Sequence, residues 1–120
     1  MFDKVAILSV PVSDQDRALE FYTEILGGKV VQDMPFAPGT RWLKIELPGV
    51  ETQLVLATWF SDMNPGCLQG VVLSAKDIAK THAELKKRGL DISEIDEQPY
   101  GKEATFADPD GNGWILQQTK

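Results

Sequence analysis

Residues 4–28 read KVAILSVPVSDQDRALEFYTEILGG, and this stretch sets the plan of the chain. Its first part, KVAILSVPV, is an apolar, β-branched run that predicts a strand. Ser13 or Asp14 then offers a side-chain oxygen to cap a helix. Ala18, Phe21, Tyr22, Ile25 and Leu26 recur at the three-and-four spacing of one buried helical stripe, and Gly27 and Gly28 close it. Three strand-like runs follow, KVVQDM (29–34), TRWLKIEL (40–47) and TQLVLATW (52–59), divided by the breakers PFAPG and PGVE. The first sixty residues therefore read βαβββ.

The same order returns. LQGVVLSA (68–75) predicts a strand and KDIAKTHAELKKRG (76–89) a helix stopped by Gly89. LDISEI (90–95), GKEATFA (101–107) and GWILQQT (113–119) predict three more strands. A βαβββ unit leaves one sheet face that a lone copy cannot cover, so two copies in tandem should pack together. The expected fold is α+β: two tandem βαβββ modules forming a curved, eight-stranded mixed sheet around a groove, with the helices outside. The chain is read as a single domain, 1–120, with module one at 1–60, a linker at 61–66 in SDMNPGC, and module two at 67–120.

Composition narrows the function classes. With 120 residues, 42% of them hydrophobic, the chain can bury a core without a metal or disulfide staple. Its single cysteine, Cys67, has no internal partner, and the start MFDKVAILSV lacks the long apolar run of a secretory signal, so the expected location is cytoplasmic. No run approaches the ~20 apolar residues of a membrane helix, and a net charge of −6 opposes binding to nucleic acid or anionic lipid.

Near the C-terminus, FADPDGNGWILQQ (106–118) crowds Asp108, Asp110 and Asn112 into a turn. Asp108, Asp110, Asn112 and Gly113 imitate the start of a calcium loop, but the twelfth position, which needs a bidentate glutamate, is Thr119. Pro109 and Gly111 favour a tight turn and the sequence runs on as a strand, so this is a hairpin whose acidic residues cap backbone amides.

The tandem βαβββ order, the segment VPVSDQDRALEFYTEILG and the hairpin DPDGN before the last strand together resemble the vicinal oxygen chelate superfamily, across essentially the whole chain. That superfamily includes glyoxalase I, extradiol dioxygenases, fosfomycin-resistance enzymes and bleomycin-resistance proteins. The resemblance implies metal ligands, in metal-dependent members, at His or Gln on the first strand of each module and Glu on its last. Those positions fall here on Ile7, Gly70, Val55 and Ile115. None carries a side-chain donor atom, so no metal site, no cofactor and no catalytic residue are expected. His82 lies on the second predicted helix and reads as a surface or boundary residue. Cys67 reads as a small buried or linker-edge side chain.

Strand alternation then selects what lines the groove. If Ile7 points inward, so do Val5 and Ser9. By the same parity Trp42, Lys44, Gln53, Val55, Gly70, Val72, Glu103, Thr105, Ile115 and Gln117 face the concavity. This is an apolar floor with a few polar groups, suited to a small molecule. Trp42 reads equally as ligand stacking or core. Lys44 and Glu103 read as paired with each other or facing water before any ligand role. Trp59, Phe60 and Met63 cover the groove or a partner subunit.

Three functions compete. The first is a metal-free, bleomycin-resistance-like protein that binds a cationic or aromatic molecule through Trp42, Trp59 and Glu103. The second is a lyase- or dioxygenase-type enzyme with a non-standard site. The third is a dimeric interaction domain without ligand. The first is the expectation adopted, with a homodimer as the assembly that the resemblance implies.

Overall fold

The computed structural model describes residues 1–119. Strand β1 (Ile7–Pro11) leads to helix α1 (Gln15–Glu20), which widens into a π-helical turn over Phe21–Ile25. Strands β2 (Lys29–Ala37), β3 (Thr40–Glu46) and β4 (Gln53–Ala57) complete the first module. Strand β5 (Val71–Ser74), helix α2 (Ile78–Lys87) and strands β6 (Asp96–Gln98), β7 (Gly101–Ala107) and β8 (Gly113–Thr119) form the second. The eight strands make two four-stranded mixed sheets of one design, β1-β4-β3-β2 and β5-β8-β7-β6. In each, the first strand runs parallel to the last and the remaining pairs are antiparallel. The expected α+β, twice-βαβββ plan is thus what the chain forms.

Local chemistry places the helices. Asp14 and Asp77 are the N-caps, accepting from the backbone N–H of Arg17 at 3.1 Å and of Lys80 at 3.2 Å. Each cap satisfies a donor that a helix start leaves open and contributes about 1 kcal/mol. The π-helical turn ends at Gly28, whose N–H bonds Tyr22 O at 2.8 Å. A Cβ on residue 28 would lie 2.7 Å from both Ile45 Cγ2 and Tyr22 O, so only glycine allows this close approach of turn to sheet.

Leu43, Ile45, Leu54 and Leu56 of the first sheet, and Ala104, Phe106, Trp114 and Leu116 of the second, are buried on the face that meets the helices. They join Val10, Ala18, Tyr22, Ile78 and Leu85 in one core cluster spanning both modules. Among the described residues no helix is long and apolar enough to cross a membrane.

Polar groups then fasten the modules together through the DPDGN hairpin. Asp108 is buried and accepts from Tyr22 Oη at 2.7 Å, Asn112 Nδ2 at 2.7 Å, and the N–H groups of Asp110 and Asn112. Asn112, wholly buried, donates to Pro11 O at 2.8 Å and accepts from Leu68 N. Trp114 Nε1 donates to Tyr22 Oη at 3.1 Å. Burial, then the Asp108 charge and hydrogen bond, push the Tyr22 phenol far above its usual range. With both Asp108 oxygens occupied by N–H and O–H donors, the hairpin is architecture, as its turn chemistry predicts.

Several local expectations are corrected. The breaker PFAPG does not end β2, which continues to Ala37; β2 is an edge strand, where proline is tolerated because no ladder bond is lost on its outer side. LDISEI is not a strand: β6 lies at Asp96–Gln98, while Leu90 and Ile92 are buried as core plugs on a non-strand segment. His82 is not at the surface but buried, its Nε2 2.7 Å from Ser93 O across the gap between α2 and that segment. Cys67 is exposed.

Candidate functional site

Each sheet has a second face, away from the helices. Register assigns it directly: Ile7 pairs with Gln53, Ser9 with Val55, Lys44 with Val55 and with Gln32, and Trp42 with Met34. On the second sheet Val72 and Thr105 pair with Ile115, and Glu103 and Ser74 with Gln117. Cross-strand partners share a face, so the sequence-predicted residues are gathered, one set per sheet. Gly70, exposed just ahead of β5, has φ +78°, a conformation that disfavours any residue with a side chain.

These faces are open in the chain. Ile7 is 39% exposed, Val72 46% and Met34 46%. Ser9, Trp42, Lys44, Gln53, Trp59, Glu103, Ile115 and Gln117 are half-buried, and Thr105 is exposed. Val55 is wholly buried yet stands outside the core cluster, in the middle of the open face between Ser9 and Lys44. Lys44 and Glu103 sit on different sheets and form no ion pair with each other among the described residues.

At one end of the first sheet's open face lies an aromatic cluster. Trp42 and Trp59 stack with ring centroids 5.9 Å apart and an interplanar angle of 26°. Phe36 sits 4.5 Å from Trp59 and 5.7 Å from Trp42, and Phe60 lies 5.8 Å from Trp59. Phe36 and Phe60 are 51% and 44% exposed, so this apolar surface faces solvent. Sequence reasoning missed Phe36. The register of β2 slips between Pro35 and Ala37, and a bulge of this kind re-aims the extra residue, here onto the two indoles.

Two glutamines build this end of the sheet. Gln32 Oε1 accepts from Trp42 Nε1 at 2.8 Å, which fixes the indole. Strands β3 and β4 pair only at Lys44–Val55 and Ile45–Leu54. Beyond those rungs the buried Gln15 amide takes over, donating to Arg41 O and Leu56 O at 2.8 Å each and accepting from Arg41 N at 3.1 Å. The side chain satisfies backbone groups that a continued ladder would have paired, and so holds the strands apart beneath the aromatic rings. Arg41, just before Trp42, is anchored by Asp16 at 2.7 Å and Asp33 at 3.1 Å; both carboxylates raise its guanidinium above its usual value.

The second sheet's open face is built differently. Glu103, Gln117, Thr105 and Ser74 surround Val72 and Ile115, and no aromatic pair lies there among the described residues. Partial desolvation and the neighbouring Glu103 carboxylate raise the Tyr100 phenol.

The residues do not fit a metal. The four positions at which the resemblance implies ligands hold Ile7, Val55 and Ile115, which have no donor atoms, and Gly70, which has no side chain. Among the described residues no three of His, Cys, Asp and Glu come together as a cation site.

Residues 4–116 match the family described as Glyoxalase/Bleomycin resistance protein/Dioxygenase superfamily. The Uncharacterized protein YetH of Bacillus subtilis (strain 168) is 30% identical over 122 residues, covering 98% of this chain and 100% of its own. TnmS3, an antibiotic binding protein from Streptomyces sp. CB03234, superposes with a TM-score of 0.90 at 39% identity over 99% of this chain and 98% of its own. A glyoxalase/bleomycin resistance protein from the same Streptomyces superposes at 0.84 with 41% identity, over 96% and 100%.

Proposed function

Since the chain belongs to the glyoxalase/bleomycin resistance protein/dioxygenase superfamily, we propose that it binds a small aromatic molecule on its open sheet faces, without a protein-held metal and without transforming it. The observation that carries this reading is the cluster of half-buried Trp42 and Trp59 with exposed Phe36 and Phe60, in which Gln32 holds Trp42 in place. Large planar rings left in water at fixed spacing are suited to stacking on a planar guest. Similarity to the antibiotic binding protein TnmS3 supports a small-molecule ligand.

The open faces also support a homodimer. A second copy that lays its polar sheet face over the aromatic face of the first would set Glu103 and Gln117 across from Trp42 and Lys44, enclosing the guest between stacking and charge. Ile7, Val72 and Met34 would leave water in the same step.

The test is quenching of tryptophan fluorescence by a panel of neutral and cationic polycyclic antibiotics, together with sedimentation of the free protein. Saturable quenching by at least one compound, weakened about tenfold in Trp42→Ala, is the expected result. A flat response across the panel, or a stoichiometric transition metal that survives dialysis, would overturn the reading.

A further inference from the structure

On the helix side of the molecule a recess of about 480 Å³ lies where the modules meet. Leu26, Leu47 and Val50 wall it from the first module, and Leu73, Leu85 and Leu116 from the second. Its volume falls in the range that holds small ligands, and its walls are mostly apolar. Open greasy space of this size, lined by two modules at once, calls for an occupant.

The rim defines the occupant's charge. Lys76, Asp77, Lys80, Glu84 and Arg88 all border the recess. Arg88 is committed to Glu84 Oε1 at 3.2 Å and to Ile25 O at 3.0 Å. Asp77 is committed to capping α2 through Lys80 N. Lys76 and Lys80 form no ion pair among the described residues. The segment 76–88 carries five Lys or Arg against two Asp or Glu, in a chain whose net charge is −6. The most basic stretch of an acidic protein therefore borders an apolar recess, and the two ammonium groups on its rim, those of Lys76 and Lys80, are uncommitted.

We infer that this recess is a second binding site, for an amphiphilic monoanion: a flexible hydrocarbon body in the junction between the modules and a carboxylate at Lys76 and Lys80. Cation and apolar wall act on different parts of one molecule, so neither a hydrophilic acid nor a cationic amphiphile satisfies both. The site is independent of the aromatic cluster, which lies on the first sheet's other face.

Calorimetric titration with decanoate tests it, with decyltrimethylammonium and acetate as the mismatched probes. Decanoate should bind one per chain and the two controls should not. The double variant Lys76→Glu/Lys80→Glu should weaken decanoate at least tenfold. Val50→Trp, which fills the recess, should abolish binding; if that variant fails to fold, the exposed lysine variants still decide the matter. Equal binding of the cationic amphiphile, decanoate binding unchanged in Lys76→Glu/Lys80→Glu, loss of decanoate binding in Trp42→Ala, or no binding with a dimer that Val50→Trp dissociates would each overturn the assignment. The last outcome would make the occupant a second copy of the chain.

Discussion

The two modules share one topology, and two of their differences divide the labour. In module two the turn between the last strands buries Asp108 and Asn112, which reach Tyr22 and Pro11 of module one. In module one the matching turn, residues 47–52, keeps Pro48, Gly49 and Glu51 exposed; its turn bond is Val50 N to Leu47 O, and Glu51 pairs only with Lys4 at the surface. The open faces differ the opposite way, with the rings on module one and the polar side chains on module two. A duplicated frame has let one copy specialise in joining and the other in presenting aromatic surface.

The comparison of turns can be broken by substitution. Asp108→Ala strips the partner from a buried phenol, a buried amide and two backbone N–H groups, and should cost about 3 kcal/mol or more, lowering Tm by roughly 12 °C. Glu51→Ala should stay within about 0.5 kcal/mol, because an exposed ion pair contributes little. Urea melts that found the two variants alike would remove the asymmetry.

Tyr22→Phe should cost less, about 1–2 kcal/mol, since Asp108 keeps three other donors. It carries a pH signature as well. The folded phenol keeps its proton after the unfolded chain begins to lose its own, so the contribution is whole below about pH 10 and falls by about 1.4 kcal/mol per pH unit above it. Urea melts between pH 9 and 11 should show that decline in the wild type and a flatter profile in Tyr22→Phe.

The contrast of open faces is sharpened by binding. Trp42→Ala should weaken an aromatic guest about tenfold, or ~1.4 kcal/mol, while Thr105→Ala on the polar face should change affinity by less than about threefold. Fluorescence titration of a ligand found in the panel measures both, and the reverse ranking would move the stacking surface to module two. The smallest effects test sameness. Asp14→Ala and Asp77→Ala should each cost about 1 kcal/mol in thermal melts, because the two caps make the same bond.

Features governed by local chemistry were legible in the sequence. Ser13 or Asp14 announced the first helix start, where Asp14 is the cap, and the strand-like runs placed β7 and β8 at Gly101–Ala107 and Gly113–Thr119. Features governed by distant contacts were not. Leu90 and Ile92 alternate like a strand but fill the core as a loop, and His82 is buried by a carbonyl eleven residues away. Asp108 read correctly as turn chemistry, but nothing near it in the chain discloses a bond to a tyrosine 86 residues earlier. Of the aromatic surface, Trp42 and Trp59 were foreseen by parity and position. Phe36 was hidden by a proline that read as a breaker and by a bulge that periodicity does not register.

The bonds from Asp108 and Asn112 to Tyr22 and Pro11 join the modules independently of the covalent link through residues 61–66. A protease nick between Ser61 and Gly66 would leave both fragments holding one another, and separately expressed halves carry the groups needed for complementation. Each phenol has one carboxylate to meet, so such halves would reassociate in a single orientation.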